Sequence, residues 1–390
     1  MKSDFKKELN YIKKYWKKTI NHRPNDCNTF IGLPNKYISP NHKMFPEMFY
    51  WDSYFIIQGL KIEKKYSLIK GIVNNFLYLV NKFGVIPTSN RFYFLAHSQP
   101  PFLSSMIKDV FEIYKDKKWL KNAFELAKKE YKNIWTGKYE NKISIITKTG
   151  LSRFFDINYV HILAEAGSGW DLSPRFLDRC LDILPVDLNC LLYKYEKDFE
   201  FFTDVLKNNK EKNYWHRKAQ IRKRLINKYF WSNKKGFFFD YDLKNKKQTN
   251  IWSLVGYFPL WVKLATKEQA RLTVKNLKKF EKKFGIATCD KNYRQPNKQW
   301  NYPNGWAPLH LIVTEALENY GYYKNSKRIK EKWLKLCSKV FRNTGKFWEK
   351  YDVVKGTVAK SERYPVQEGF GWTNAIFLKF YNDLLSKNKK

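Results

Sequence analysis

This sequence predicts an all-α fold, a toroid of helical hairpins with a concave site among the loops at one end, on three observations. Apolar residues recur at three- and four-residue intervals through much of the chain, strand-like runs are few and short, and brief punctuators separate the helical stretches. The helical spacing is plain in Leu120, Phe124, Ala127 and Tyr131, and again in Leu309, Ile312, Val313, Ala316, Leu317 and Tyr320. Two strand-like runs, residues 143–147 and 236–241, are too few for a sheet-based fold. Punctuators fall at Pro34-Asn35-Lys36, Gly84, Pro87-Thr88-Ser89-Asn90, Gly167-Ser168-Gly169, Pro303-Asn304-Gly305 and Gly369-Phe370-Gly371. A dozen or so helices joined by short and medium loops suit a ring of hairpins. No repeat at a solenoid period occurs. Residues 207–212 and 386–390 are expected as a solvated loop and a frayed end.

At 390 residues and 43% hydrophobic, the chain is long enough for one large core, and a single domain over residues 1–390 is the expectation. Aromatic residues reach 18%, in clusters such as Phe49-Tyr50-Trp51 and Tyr229-Phe230-Trp231. Such clusters fill cores and also form platforms for the C–H faces of sugar rings. The formal charge of +38 admits a polyanion-binding surface, but its lysines are scattered along the whole chain, as on a solvated surface. No specific nucleic-acid partner is expected. The five cysteines, Cys27, Cys180, Cys190, Cys289 and Cys337, have neither zinc-site nor redox spacing and read as thiols. With no signal peptide and no apolar run approaching the roughly 20 residues of a membrane span, the expected compartment is the cytoplasm.

Six segments set Trp, Gly and carboxylates or amides side by side. In order they are residues 49–54; Asn90-Arg91-Phe92-Tyr93 with Ser98-Gln99-Pro100-Pro101; Gly169-Trp170-Asp171-Leu172-Ser173-Pro174-Arg175; Pro185-Val186-Asp187-Leu188-Asn189; residues 299–308; and Trp348-Glu349-Lys350-Tyr351-Asp352 with residues 367–374. Carbohydrate sites need this mixture, flat apolar faces for the ring and amides or carboxylates for the hydroxyls.

In this order the segments resemble the trehalases of glycoside hydrolase family 37, over residues 45–376, with Gln299 to Pro308 the most specific match. The resemblance implies an (α/α)6 barrel and inverting hydrolysis of an α-glucosidic bond in a small disaccharide or glucoside, without metal or cofactor. It matches Asp171 to the general acid and Glu349 to the general base, which in an inverting enzyme stand roughly 6.5–9.5 Å apart. It also assigns Trp51 and Asp52 to the glucose subsite and Gln99, Trp300 and Trp306 to sugar contact or site shape. Asn90, Gly169 and Glu368 fall in these segments, Phe45 stands beside Met44 in the family's first motif, and Arg153 lies in residues 151–156, which resemble a further segment of the family. Several of these residues have a plainer reading beside this one. Asp171 could cap a helix beginning near Pro174 and Glu349 could make a surface ion pair. The tryptophans could be core, Asn90 a turn residue, Arg153 an ion-pair partner of Asp156, and Glu368 a cap on the glycine-rich turn.

The chain also departs from the family's pattern. Met44 and His97 stand where the family has arginines, and a segment with an Arg and a Glu ahead of Asp171 is missing. Asn301 replaces an Asp, residues 359–362 replace a glycine run, and Arg363 stands for a Glu. Arg to Met or His forfeits charged, bidentate donors to hydroxyls. α,α-Trehalose is therefore the first expectation and another small α-glucoside, with an altered aglycone subsite, the second. A polyanion binder and a sugar-binding protein without turnover are the readings from other classes.

Overall fold

The computed structural model describes residues 5–137, 145–293, 298–360 and 364–387. Helices alternate between an inner and an outer ring. The inner ring consists of α2 (Tyr50–Ile62), α4 (Leu103–Tyr114), α7 (Val186–Val205), the short α9 (Phe258–Trp261), α12 (Ala307–Asn319) and α14 (Gly371–Lys387). The outer ring consists of α1 (Lys6–Thr19), α3 (Tyr66–Phe83), α5 (Lys117–Glu130), α8 (Asn209–Phe230), α10 (Lys267–Lys275) and α13 (Tyr323–Thr344). Short helices α6 (His161–Ala166) and α11 (Leu277–Phe280) lie in connections. Each inner helix packs on the next, and α14 packs on α2 to close the circle, so the architecture is an (α/α)6 barrel.

The sequence sorts the two rings. Inner helix α2 is buried at every position from Tyr50 to Leu60, whereas outer helix α8 buries Trp215, Ala219, Arg222, Ile226 and Phe230, a single stripe at three- and four-residue spacing. At the closure of the ring, Gly59 lets α2 and α14 touch, because a Cβ there would lie 2.5 Å from the Ala375 Cα. Side-chain caps start some of the outer helices. Thr266 and Gln269 form a reciprocal capping box on α10, and the Asn208 side chain accepts the Glu211 N–H at the start of α8.

That second cap corrects one expectation. Residues 209–212 are the first turn of α8 rather than a solvated loop, because Asn208 supplies the cap and Glu211 the acidic residue favoured there. Likewise Ser386 lies within α14, its hydroxyl donating to the Asn382 carbonyl. Strand-like run 236–241 contributes Phe237–Phe238 to a hairpin with Trp231–Ser232. Run 143–147 lies partly outside the described residues, although Ile146 bridges Ser152. No described helix is long and apolar enough to cross a membrane.

One strand group matters for the site. Asn304–Trp306, Lys350–Asp352 and Thr357–Val358 form an antiparallel sheet whose register sets Trp306 opposite Lys350. That register brings the tryptophan motif and Glu349 to one place.

Candidate active site

The N-terminal ends of α2, α12 and α14 converge on a cavity of about 480 Å³, completed by the loops before α4 and after α6. Trp51 and Asp52 open α2, Trp306 caps α12, and Trp372 opens α14. Helix N-termini carry partial positive charge, which suits a cavity lined by Asp52, Asp171 and Glu349.

Glu349 is buried, and donors reach both of its oxygens. The Lys350 ammonium donates to Oε2 at 3.0 Å and the Tyr364 hydroxyl to Oε1 at 2.7 Å. Burial and the nearby Glu349 raise the Tyr364 phenol above its ordinary value, so it remains a donor. Lys350 is fully buried, its Nζ lying 4.8 Å from the ring centre of Trp306 and 4.9 Å from that of Tyr364. It also donates to Gln299 Oε1 at 2.8 Å. An ammonium can only donate, which fixes the Gln299 amide with Nε2 toward Asp171, where it donates to Oδ2 at 2.9 Å. Thus Gln299 and Lys350 bridge Asp171 to Glu349.

Burial, with Glu349 and Asp171 close by, pushes the Asp52 carboxyl well above the ordinary carboxylate range. A protonated carboxyl there can both donate and accept. Behind the Asp171 loop, burial raises Glu165 to about 7, while Lys298 and the Ser173 N–H, bonded to its Oε1 at 2.6 Å, pull it down. Among the described residues no group of three His, Cys, Asp or Glu side chains is placed to hold a metal ion.

The wall is built from stacked indoles. Trp300 lies on Trp306 with ring centres 3.8 Å apart and planes within 4°, and Trp170 stacks behind Trp300 at 5.3 Å. Trp372 stands edge-on to Trp306. Trp51 presses on Gly169, where a Cβ would lie 2.8 Å from the indole Cε2 and φ is +73°. Leu172, beside Asp171, is also left-handed at φ 59°. Gly169→Ala therefore has to shift either Trp51 or the chain leading to Asp171. A displacement near 1 Å costs on the order of 10²-fold in rate, so kcat should fall by about that factor in a glucose-release assay with the helical circular dichroism unchanged. A kcat equal to that of the parent would show that the loop tolerates the methyl group.

Of the residues expected in the site, Phe45, Trp51, Asp52, Gln99, Gly169, Asp171, Trp300, Trp306 and Glu349 line this cavity. The plainer reading of Asp171 does not describe its place, because Ser173 caps the 3-10 turn at Pro174–Phe176. Three expected residues lie elsewhere. The Asn90 side chain receives the Met48 N–H and donates to the Ile31 carbonyl, tying two loops together. Arg153 donates to the Leu181 carbonyl at 2.6 Å, while the Asp156 side chain accepts the N–H groups of Asn158 and Val160. Glu368 pairs with Lys43 and Lys346, away from the cavity, because its turn directs it toward those lysines. Of the departures, Met44 and His97 line the cavity. Asn301 holds its own turn, through Asn292 and the Tyr302 N–H, and Glu362 and Arg363 lie outside the described residues.

Sequence reasoning missed Tyr364 and the bridging work of Gln299 and Lys350. Lys350 follows Glu349 directly, yet alternation along a strand would send neighbouring side chains to opposite faces; Glu349 lies at a bend just outside the strand Lys350–Asp352, and there the ammonium meets the carboxylate.

The trehalase family model matches this chain over residues 1–156 and 143–384. The cytosolic neutral trehalase of Kluyveromyces lactis is 31% identical over 427 residues, covering 90% of this chain and 56% of that protein. The periplasmic trehalase of Shigella flexneri is 31% identical over 405 residues, covering 93% of this chain and 71% of its own length. The chain spans 54% to 58% of the length of the fungal relatives it matches. Among solved structures, the neutral trehalase of Saccharomyces cerevisiae superposes with a TM-score of 0.79 at 30% identity, covering 93% of this chain and 76% of that one. A mannosylglycerate hydrolase from Thermus thermophilus shares the fold, with a TM-score of 0.70 at 16% identity over 96% of this chain and 99% of the other. With a family model that covers nearly all of its length and a shared barrel, this chain belongs to the trehalase family.

Proposed function

We propose that this chain is an inverting glycoside hydrolase that cleaves an α-glucosidic bond, with α,α-trehalose, which yields two glucose molecules, as its foremost substrate. The observation that carries the reading is the bridge Asp171–Gln299–Lys350–Glu349 in a cavity walled by tryptophans. Asp171 is the general acid, giving its proton to the glycosidic oxygen as the C1–O bond breaks. Glu349 is the general base and takes a proton from the water that attacks C1 from the opposite face. The ammonium of Lys350 suits an ionised Glu349, and the Tyr364 hydroxyl helps aim it. Asp52, whose carboxyl burial and the neighbouring carboxylates push toward its protonated form, has the hydrogen-bonding capacity to hold sugar hydroxyls, and the indole faces pack the ring.

The test is glucose release from trehalose, with the first-formed anomer read by NMR. Inversion gives one β-glucose, from the attacked C1, and one α-glucose, the leaving sugar, in equal amounts from each trehalose; α-glucose alone would sink inversion, and no release from any α-glucoside would sink the hydrolase reading. A single domain is part of the proposal, supported by one apolar cluster reaching from Phe5 to Phe380. So is a cytoplasmic location, to which five free thiols, one of them the exposed Cys27, are suited. Cell fractionation that finds the activity in the periplasm would overturn it.

A further inference from the structure

We propose that the outer half of the cavity is a subsite for an apolar aglycone, making alkyl α-glucosides substrates whose kcat/KM rises with chain length. The inference rests on the α-glucosidase reading. The carboxyls and the exposed apolar side chains lie at different depths of the cavity, with the indoles of Trp51, Trp300 and Trp306 as buried as the carboxyls. Asp52, Gln99 and Glu349 are between 2% and 7% exposed and lie at the floor. At the mouth Met44, Tyr93 and Leu163 are 44%, 57% and 38% exposed, with Phe45, Phe94 and Ala166 half-buried between. Those six come from three separate segments of chain, so their meeting at one rim is not a run of neighbours.

A second sugar in that position needs donors and acceptors for its hydroxyls, and hydroxyls buried without partners are penalised. Among the described residues of the outer wall the exposed Tyr93 hydroxyl is one such group, and few others are open to a sugar. No described residue lining the cavity is a lysine or arginine. The His97 ring has its Nε2 3.4 Å from the Asp156 carboxylate, Thr88 donates to the His97 carbonyl, and Tyr364 is engaged with Glu349. An alkyl chain needs none of these groups and gains by leaving water against Met44, Phe45 and Leu163. Isolated exposed apolar residues need no explanation, but a cluster at the mouth of one cavity marks a place where something apolar binds.

The reaction balances without any further reagent. Water and the alkyl glucoside give glucose and the alcohol. The C1–O bond to the alkoxy group breaks as Asp171 protonates that oxygen. The water oxygen bonds to C1, and its proton passes to Glu349. Exchange with solvent restores both carboxyls.

The test compares kcat/KM for methyl, butyl and octyl α-glucosides, each below its micelle concentration, with trehalose measured alongside. These alcohols leave with similar ease, so the series reports binding of the chain. One fully buried methylene is worth about fourfold, and the partly open rim should give at least about tenfold from methyl to butyl. The double variant Met44→Ser, Leu163→Ser should lower the octyl-to-methyl ratio, and Leu163→Met, which conserves volume, should keep it high. A flat series with trehalose still hydrolysed overturns the subsite and leaves the hydrolase reading standing. No glucose from any substrate overturns both. A rising series whose slope the double variant does not change overturns the assignment to this rim.

Discussion

Asp171→Asn and Glu349→Gln should each lower kcat for glucose release from trehalose by roughly 10²–10⁴-fold, the range in which a positioned proton donor or acceptor contributes. Both changes keep the shape of the side chain, so far-ultraviolet circular dichroism should be that of the parent. The two losses should then separate by chemistry. A leaving group that needs no proton relieves the demand on Asp171, so Asp171→Asn should lose far less on 4-nitrophenyl α-glucoside than on trehalose. Azide needs no deprotonation to attack carbon. Added azide should therefore restore turnover to Glu349→Ala, forming the β-glucosyl azide, and leave Asp171→Asn unimproved. Product analysis by chromatography and NMR decides it. Equal rescue of both variants, or a parent-like kcat in either, would show the roles to be wrong. The opposed behaviour is expected because the surroundings differ. Glu349 is held by an ammonium and a phenol, whereas the Asp171 Oδ2 accepts a neutral amide.

The barrel was legible because its helices obey a simple period. Outer helix α13 buries Ile329, Trp333, Leu336 and Val340 along one stripe, and α2 buries every residue of its first three turns. The site sheet was not, since two- and three-residue strands are too short to show alternation, and what joins Trp306 to Lys350 is their pairing across some 44 residues of chain. In the site, residues that do chemistry and residues that hold loops share one vocabulary. Asn90, Arg153 and Glu368 sit in motifs as suggestive as those of Gln99 and Trp51, yet each bonds to backbone or lysines outside the cavity. Spacing along the chain does not reveal whether an amide faces a sugar or a carbonyl. Tyr364 left no pattern to read, because it reaches Glu349 across a turn.

Arg175→Met should destabilise the protein by about 3–5 kcal/mol, as expected when one member of a buried ionic group is removed. Arg175 is fully buried and donates through Nη1 and Nη2 to both oxygens of Asp187, each at 2.7 Å. It also donates through Nε and Nη2 to both oxygens of Asp240, at 2.9 and 2.8 Å. Asp240 in turn accepts the Val186 N–H at 2.9 Å, pinning the start of α7. The guanidinium lies 4.8 Å from the ring centre of Trp170, the outermost of the stacked indoles. Without it two carboxylates face each other in the core with no cation. They can escape by taking up protons, so the loss should be smaller at pH 5 than at pH 8; their folded-state pKa values would rise, and stability would fall as pH climbs. The triple variant Arg175→Met, Asp187→Asn, Asp240→Asn should recover much of the loss by removing the orphaned charges. Denaturant midpoints for the single and triple variants at both pH values measure each of these. A single variant with the parent's midpoint would mean that the triad contributes little. A triple variant as weak as the single one would mean that the guanidinium's packing against Trp170, rather than its charge, supports the indole wall of the site.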